Sequence, residues 1–207
     1  MTQQHLNEWI KKIHAVSRLG LAYAVNEYDA ERYRQLQQIA NEMLQQLTEQ
    51  PVEFIEGYFS DKKEYITPKV DIRAVVFNED NEILLVKEKA DGLWSLPGGW
   101  ADIGYTPNET AVNEVREETG LEVVPTKLLA VLDKRCHPHP PEADYVYKIF
   151  IECALTGGSF TSSFDILDKG FFAEDALPPL SLQRVLPAQI ELMFKYLYSP
   201  YKHAVID

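Results

Sequence analysis

The sequence predicts an α+β protein in which a two-helix segment precedes a mixed-sheet domain. Three observations carry this. Apolar residues recur at helical spacing through residues 1 to 50, β-branched and apolar runs begin only at Lys69, and one strongly capped helix interrupts those runs near residue 107. A layered sandwich follows, because helices and sheets with one apolar side each must cover one another.

The 207 residues allow one well-cored domain and a smaller addition, divided here as 1–60 and 61–207. No apolar run approaches the roughly 20 residues of a membrane helix, and MTQQHLNEWIKK lacks the apolar core of a signal peptide. Two cysteines, Cys136 and Cys153, are too few for a disulfide framework and point to a reducing cytoplasm. A formal charge of −12 argues against long nucleic acid as a principal partner. It also means that an anionic substrate would need cations in the site.

Leu6, Trp9, Ile10, Ile13 and Val16 outline the first helix, with Gly20 or Asn26 near its end. Asp29 is the expected cap of the second, whose stripe is Tyr33, Leu36, Ala40, Met43, Leu44 and Leu47, closed by Pro51. Such a hairpin cannot bury both apolar faces by itself, so it must supply a core or dimer contact. Residues 51–66, with Phe54, Ile55, Tyr58 and Phe59, are too apolar for a free linker. Lys69–Asn78 and Glu82–Glu88 read as a β-hairpin around the turn Asn78–Asn81. It feeds a Pro-Gly-Gly turn at 97–99 flanked by Trp94 and Trp100. Either Trp could stack on a base, although packing the loop down is the commoner use.

Thr106, Pro107 and Glu109 form a helix start with a capping box, and Gly120 is its left-handed stop. Glu114, Glu117 and Glu118 share one helix face, while Ala111, Val112 and Val115 form another. Strands are expected at Glu122–Cys136 and Tyr145–Thr156, then a turn at Gly157-Gly158. A loop with two carboxylates, Phe164–Asp168, leads to a short strand, Gly170–Glu174. A final helix runs from Ser181 to Tyr198 with Ile190, Met193, Phe194 and Leu197 inward.

Three like charges on one helix face repel, and a divalent cation removes that penalty. Mg2+ or Mn2+ takes hard oxygen ligands and bridges carboxylates to phosphates. The expected ligands are Glu114, Glu117, Glu118 and the carbonyl of Gly98, where glycine allows close approach. Cys136, His137 and His139 lack a second Cys/His pair at finger spacing, so zinc is not expected. His137 and His139 are expected at the site rim as phosphate or ribose contacts, or simply exposed.

The run from Gly99 to Leu121 resembles the Nudix box, with Gly99, Glu114, Val115, Glu117, Glu118, Gly120 and Leu121 at matching positions. Tyr105 stands where the box has a loop glutamate, and Asn113 where it has an arginine. RLGLAYAVNEYDAERYRQLQQIANEML and GFFAEDALPPLSLQRVLPAQI are similar to a subfamily with a helical extension. The resemblance implies a Nudix α/β/α sandwich with a mixed sheet behind an N-terminal helical hairpin. It implies hydrolysis of a nucleoside diphosphate linked to another moiety, with ADP-ribose first and CDP-choline as the alternative. Glu114 or Glu118, or Asp165 from its loop, would take the proton from the attacking water. A homodimer is expected, the hairpin of one subunit helping to wall a site. Tyr105 and Asn113 motivate a rival reading, a Nudix-like sensor that binds a nucleotide without cleaving it.

Overall fold

A computed structural model of the chain describes residues 3–48, 67–140, 145–199 and 203–207. The chain forms two compact units, Met1–Ile66 and Thr67–Asp207. The connector proposed at 51–66, Pro51 included, lies outside the described residues.

The first unit pairs α1 (Gln3–Tyr23) with α2 (Glu27–Thr48). Ile10, Ala40 and Leu44 are its buried centre, with Leu6, Ile13 and Met43 against them. Trp9 and Val16, part of the stripe expected to form a core or dimer contact, are each more than half exposed at 54% and 55%. Buried His14 and Ser17 belong to the inward side instead. Gly20 lies in the last turn of α1, where a β-carbon would collide with the Tyr33 ring, so its role is close helix packing. Asp29 is not the cap of α2. Asn26 Oδ1 accepts from the Asp29 N–H at 2.8 Å, which makes Asn26 the cap and Asp29 the third helical residue.

The second unit is built on β1 (Lys69–Val76), β2 (Ile83–Glu88), β3 (Trp94–Ser95) and β4 (Gly98–Trp100). The box helix α3 (Pro107–Thr119) follows, then β5 (Leu121–Asp133), β6 (Val146–Gly158), β7 (Ile166–Phe172), α4 (Pro187–Tyr198) and β8 (Val205–Ile206). A mixed five-stranded sheet has the order β4-β1-β6-β5-β8, with β1 parallel to β6. An antiparallel three-stranded sheet has the order β3-β2-β7.

The expected β1–β2 hairpin is therefore corrected. Only a bridge at Phe77 and Ile83 joins the two strands, which then diverge into different sheets. Each is buried on both faces, so each needs cover on both sides, which a single two-strand hairpin cannot supply. Strand β7 begins at Ile166 rather than Gly170, because its ladder with β2 reaches Glu88↔Ile166. Gly157 and Gly158 lie within β6 rather than in a turn. α4 starts at Pro187, not Ser181, since Leu186 before the proline is extended (φ −99°, ψ 151°).

α3 covers one face of the large sheet through Ala111 and Val115 against Ile72, Ala74 and Val76. On the other side Val75, Leu129 and Phe150 pack with Ile190, Met193 and Phe194 of α4. Strand β1 thus sends Ile72 and Ala74 to α3 and sends Asp71 and Arg73 the other way.

Candidate active site

The site forms where the three-residue edge strand β4 meets α3 and β1. α3 is locked at both ends. The Thr106 hydroxyl accepts from the Glu109 N–H at 3.2 Å, Glu109 Oε2 accepts from the Thr106 N–H at 2.8 Å, and Gly120 is left-handed at φ 82°. That rigidity sets where Glu114 and Glu118 point. Glu118 is 6% exposed, and its Oε2 accepts from the Gly98 N–H at 3.0 Å. Gly99 makes room for Glu114, whose Oε1 would be 2.7 Å from any β-carbon at 99.

Both carboxylates line a cavity of about 540 Å³, together with Asp71, Arg73, Glu88, Gly98, Trp100, Asp102, Lys134, Asp165, Gln183 and Arg184 among others. Burial pushes the Glu114 carboxyl up to about 7, with Glu117, Asp165 and Asp102 adding to it against the pull of Arg73. Burial and the adjacent Glu114 push Glu118 up to about 9. Two hard-oxygen groups that resist ionisation in one pocket fit a divalent cation, which supplies the missing counter-charge. Among the described residues no three Asp, Glu, His or Cys side chains stand as a ready-made ion cluster. The donors that fit are Glu114 and Glu118, and further ligands would come from substrate oxygens and water.

Of the residues proposed from sequence, Gly98, Trp100, Glu114, Glu118 and Asp165 come together around this cavity. Asp165 is exposed, with Oδ1 accepting from the Ser163 hydroxyl at 3.0 Å and its carbonyl from the Lys89 N–H at 2.8 Å. Trp100 is half-exposed beneath the Lys69 ammonium, 5.3 Å above the ring. Glu117 is exposed, outside the cavity lining, and 4.0 Å from Arg116. Arg116 also donates to Asn113 Oδ1 at 3.0 Å, so a guanidinium does stand beside Glu117 although position 113 is not arginine.

His137 and His139 do not line the cavity. His137 Nε2 lies 2.8 Å from Asp207 Oδ2. His139 Nδ1 faces the Leu182 carbonyl at 2.7 Å, and Gln189 Nε2 faces His139 Nε2 at 3.1 Å. The carbonyl requires N–H on Nδ1 and the amide requires a lone pair on Nε2, so this ring is neutral. Burial holds it down at about 4. Its bond to Leu182 steadies the segment that delivers Gln183 and Arg184 to the cavity.

Sequence reasoning missed Asp71, Arg73, Glu88, Lys148 and Arg184. A signal existed for the first two: charges two apart on an apolar strand share a face and are read as a buried pair. Lys148 in YVYKIFIE carries the same sign of a charge inside a buried run. For Glu88 and Arg184 only the fold brings them together, at 3.1 Å.

Residues 67–185 match the NUDIX domain, more than half of the chain. The chain belongs to the Nudix family. Residues 4–59 match a segment described as "UDP-X-like, N-terminal oligomerisation domain". A Bacillus subtilis (strain 168) protein named "Putative ADP-ribose pyrophosphatase YjhB" is 44% identical over 200 residues, 97% of this Nudix chain and 96% of its own. An "ADP-ribose pyrophosphatase" of Methanocaldococcus jannaschii is 32% identical over 56% of this chain and 69% of its own. The crystal structure of a UDP-X diphosphatase is similar across 100% of both chains, at TM-score 0.67 and 31% identity. That of an ADP-ribose pyrophosphatase from Streptococcus suis 89-1591 covers 68% of this chain and 100% of its own, at 0.62 and 42%. This Nudix protein is a hydrolase, and its box runs from β4 through α3 along the cavity.

Proposed function

We propose that the protein is a divalent-cation-dependent pyrophosphohydrolase that cleaves the diphosphate of ADP-ribose or a close nucleoside diphosphate derivative. One observation carries the reading: Glu114 and Glu118, both resisting ionisation, face a shared cavity across the Pro-Gly-Gly turn. Mg2+ or Mn2+, when bound, supplies charge neutralisation for the diphosphate and an acidified water. Glu114 and Glu118 would hold that ion, with the Gly98 carbonyl as a further proposed ligand; Glu117, exposed and outside the cavity lining, would have to turn inward to join them. Asp165, on the loop before β7, takes the proton from the water; Glu114 and Glu118 are the other candidates for that step. Trp100 at the cavity wall offers a face for a base.

The choice of ADP-ribose is supported by the printed names of the B. subtilis, M. jannaschii and S. suis proteins. A uridine or cytidine diphosphate derivative, CDP-choline included, is the second reading, favoured by the match of the N-terminal helices to the UDP-X-like segment. That match, with Trp9, Val16, Leu19 and Ile39 exposed on the helices, also supports a homodimer. No helix among the described residues is long and apolar enough to cross a membrane, and both cysteines are free, in keeping with a proposed cytoplasmic location. A panel of ADP-ribose, CDP-choline and UDP-sugars with Mg2+ or Mn2+ tests the reading. AMP release from ADP-ribose is expected, and binding without cleavage of any member would return the sensor reading.

A further inference from the structure

We propose that Arg73 is a phosphate-binding residue of this site, its guanidinium clamping the non-bridging oxygens of the substrate's diphosphate. This rests on the pyrophosphohydrolase reading and names a group for which the box has no counterpart. Arg73 is 5% exposed, yet it lines the cavity. Its Nε donates to Asp71 Oδ1 at 2.9 Å and its Nη1 to the Leu96 carbonyl at 3.0 Å. Those two bonds hold the plane of the fork. The N–H groups of Nη2 have no acceptor among the described residues.

The charge around Arg73 is arranged for an anion. Asp71 is shared: its second oxygen accepts from Lys148, which is 1% exposed. Two cations on one carboxylate leave the buried trio with an excess positive charge, which is costly to bury unless an anion completes it. Burial opposes the Arg73 charge; Asp71 does most to outweigh that cost, helped by Glu118 and Glu88, which lie within electrostatic reach. Neither is in ion-pair contact with it among the described residues. Glu88 is engaged instead by the Ser95 hydroxyl at 2.8 Å and by Arg184 at 3.1 Å.

Strand register then opens the space between Arg73 and Glu118. Arg73 pairs with Gly98 across the ladder, and Gly98 donates to Glu118. A β-carbon at Gly98 would strike the Ile72 carbonyl and lie 3.0 Å from Arg73 Cα, so glycine is what lets β4 pair this closely with β1 beside Arg73. One side of the gap holds carboxylates suited to a cation, and the other a fixed guanidinium suited to phosphate. A diphosphate with its metal is neutralised from both sides there. Arg is needed because its planar fork can hold Asp71 and a phosphate oxygen together, whereas a Lys ammonium is a point charge. Asp71 and Lys148 are positioning residues, acting through Arg73.

The test is calorimetric titration of wild type, R73K and D71N with α,β-methylene-ADP, a diphosphate that cannot be hydrolysed, and with adenosine. Melting curves report folding. R73K is expected to lose about tenfold or more in diphosphate affinity, with adenosine binding unchanged, and D71N to lose less. A folded R73K that binds the diphosphate as wild type does overturns the proposal. If R73K fails to fold, a crystal of wild type with α,β-methylene-ADP decides. An Nη2–phosphate oxygen contact within about 3.2 Å supports the clamp, and a phosphate nowhere near Arg73 overturns it. Wild type that cleaves ADP-ribose while R73K binds normally removes the clamp and keeps the enzyme. Diphosphate affinity lost in R73K, in a protein that cleaves nothing, removes the enzyme and keeps the clamp.

Discussion

Replacing Gly99 by alanine asks whether the Glu114 carboxylate is held where the reaction needs it. The new β-carbon would stand 2.7 Å from Glu114 Oε1, against 3.4 Å for ordinary contact, so the carboxylate must retreat by about 0.7 Å (3.4 − 2.7). The obstacle is the far end of a flexible side chain, and Gly99 does not have a left-handed φ. Folding is therefore spared, and loss of a glycine can add up to about 1 kcal/mol through the unfolded chain. Catalysis is not spared, since a misplacement of about 1 Å costs on the order of 100-fold. The expected result is a fall in kcat/KM of roughly 30- to 100-fold, with a melting temperature within about 2 °C of wild type. Gly98→Ala supplies the contrast. Its φ is 144° and its β-carbon would strike the Ile72 carbonyl oxygen, which is backbone and cannot step aside. Strain alone costs about 1–3 kcal/mol there, at roughly 2–4 °C per kcal/mol, so G98A melts several degrees lower. Spectrophotometric turnover with Mg2+ and a thermal melt on each variant decide the matter. A G99A enzyme with wild-type kcat/KM would refute the placement of Glu114.

Glu118→Gln is expected to abolish turnover while leaving a chelated sample folded, because the side chain it replaces is already largely protonated at neutral pH, its carboxyl being raised to about 9. In chelator the stability of wild type should fall as pH rises from about 5 to 9. The carboxyls at 114 and 118 are more acidic in the unfolded chain, at the ordinary 4.5, than in the fold, so the unfolded state gains by ionising first. A flat melting profile over that window would show that neither is buried in this way. His139→Ala removes the donor to the Leu182 carbonyl and should cost about 1–3 kcal/mol, with KM rising more than kcat falls as Arg184 loosens. An unchanged KM would detach His139 from the site. Thr106→Ala deletes the α3 cap, for about 1 kcal/mol, and circular dichroism melts should register it with little change in kcat.

Local rules made part of this protein legible. The α3 start, its left-handed stop and its two faces follow from Thr106, Glu109, Gly120 and the three- and four-residue spacings, because capping and periodicity involve neighbours along the chain. The same reasoning located Gly98, Glu114 and Glu118. It failed where the deciding contact was distant in sequence. Gly20 shows no packing role until Tyr33 is seen to lie on it. β1 and β2 look like a hairpin until each finds its own sheet. His139 looks like a phosphate or ribose contact until Leu182 and Gln189 claim both ring nitrogens.

By itself, then, the amino-acid order determined the elements, the acidic helix face and the family chemistry they imply, since those depend on spacings of a few residues. Only the tertiary structure decided which charges share the cavity. Asp71 meets Lys148 across 77 positions of chain, and Arg184 meets Glu88 across 96 (184 − 88), through strand register and a turn before a proline. Register and packing of remote segments are set by which apolar faces are buried together. That is a property of the whole fold and has no signature in any short stretch of residues.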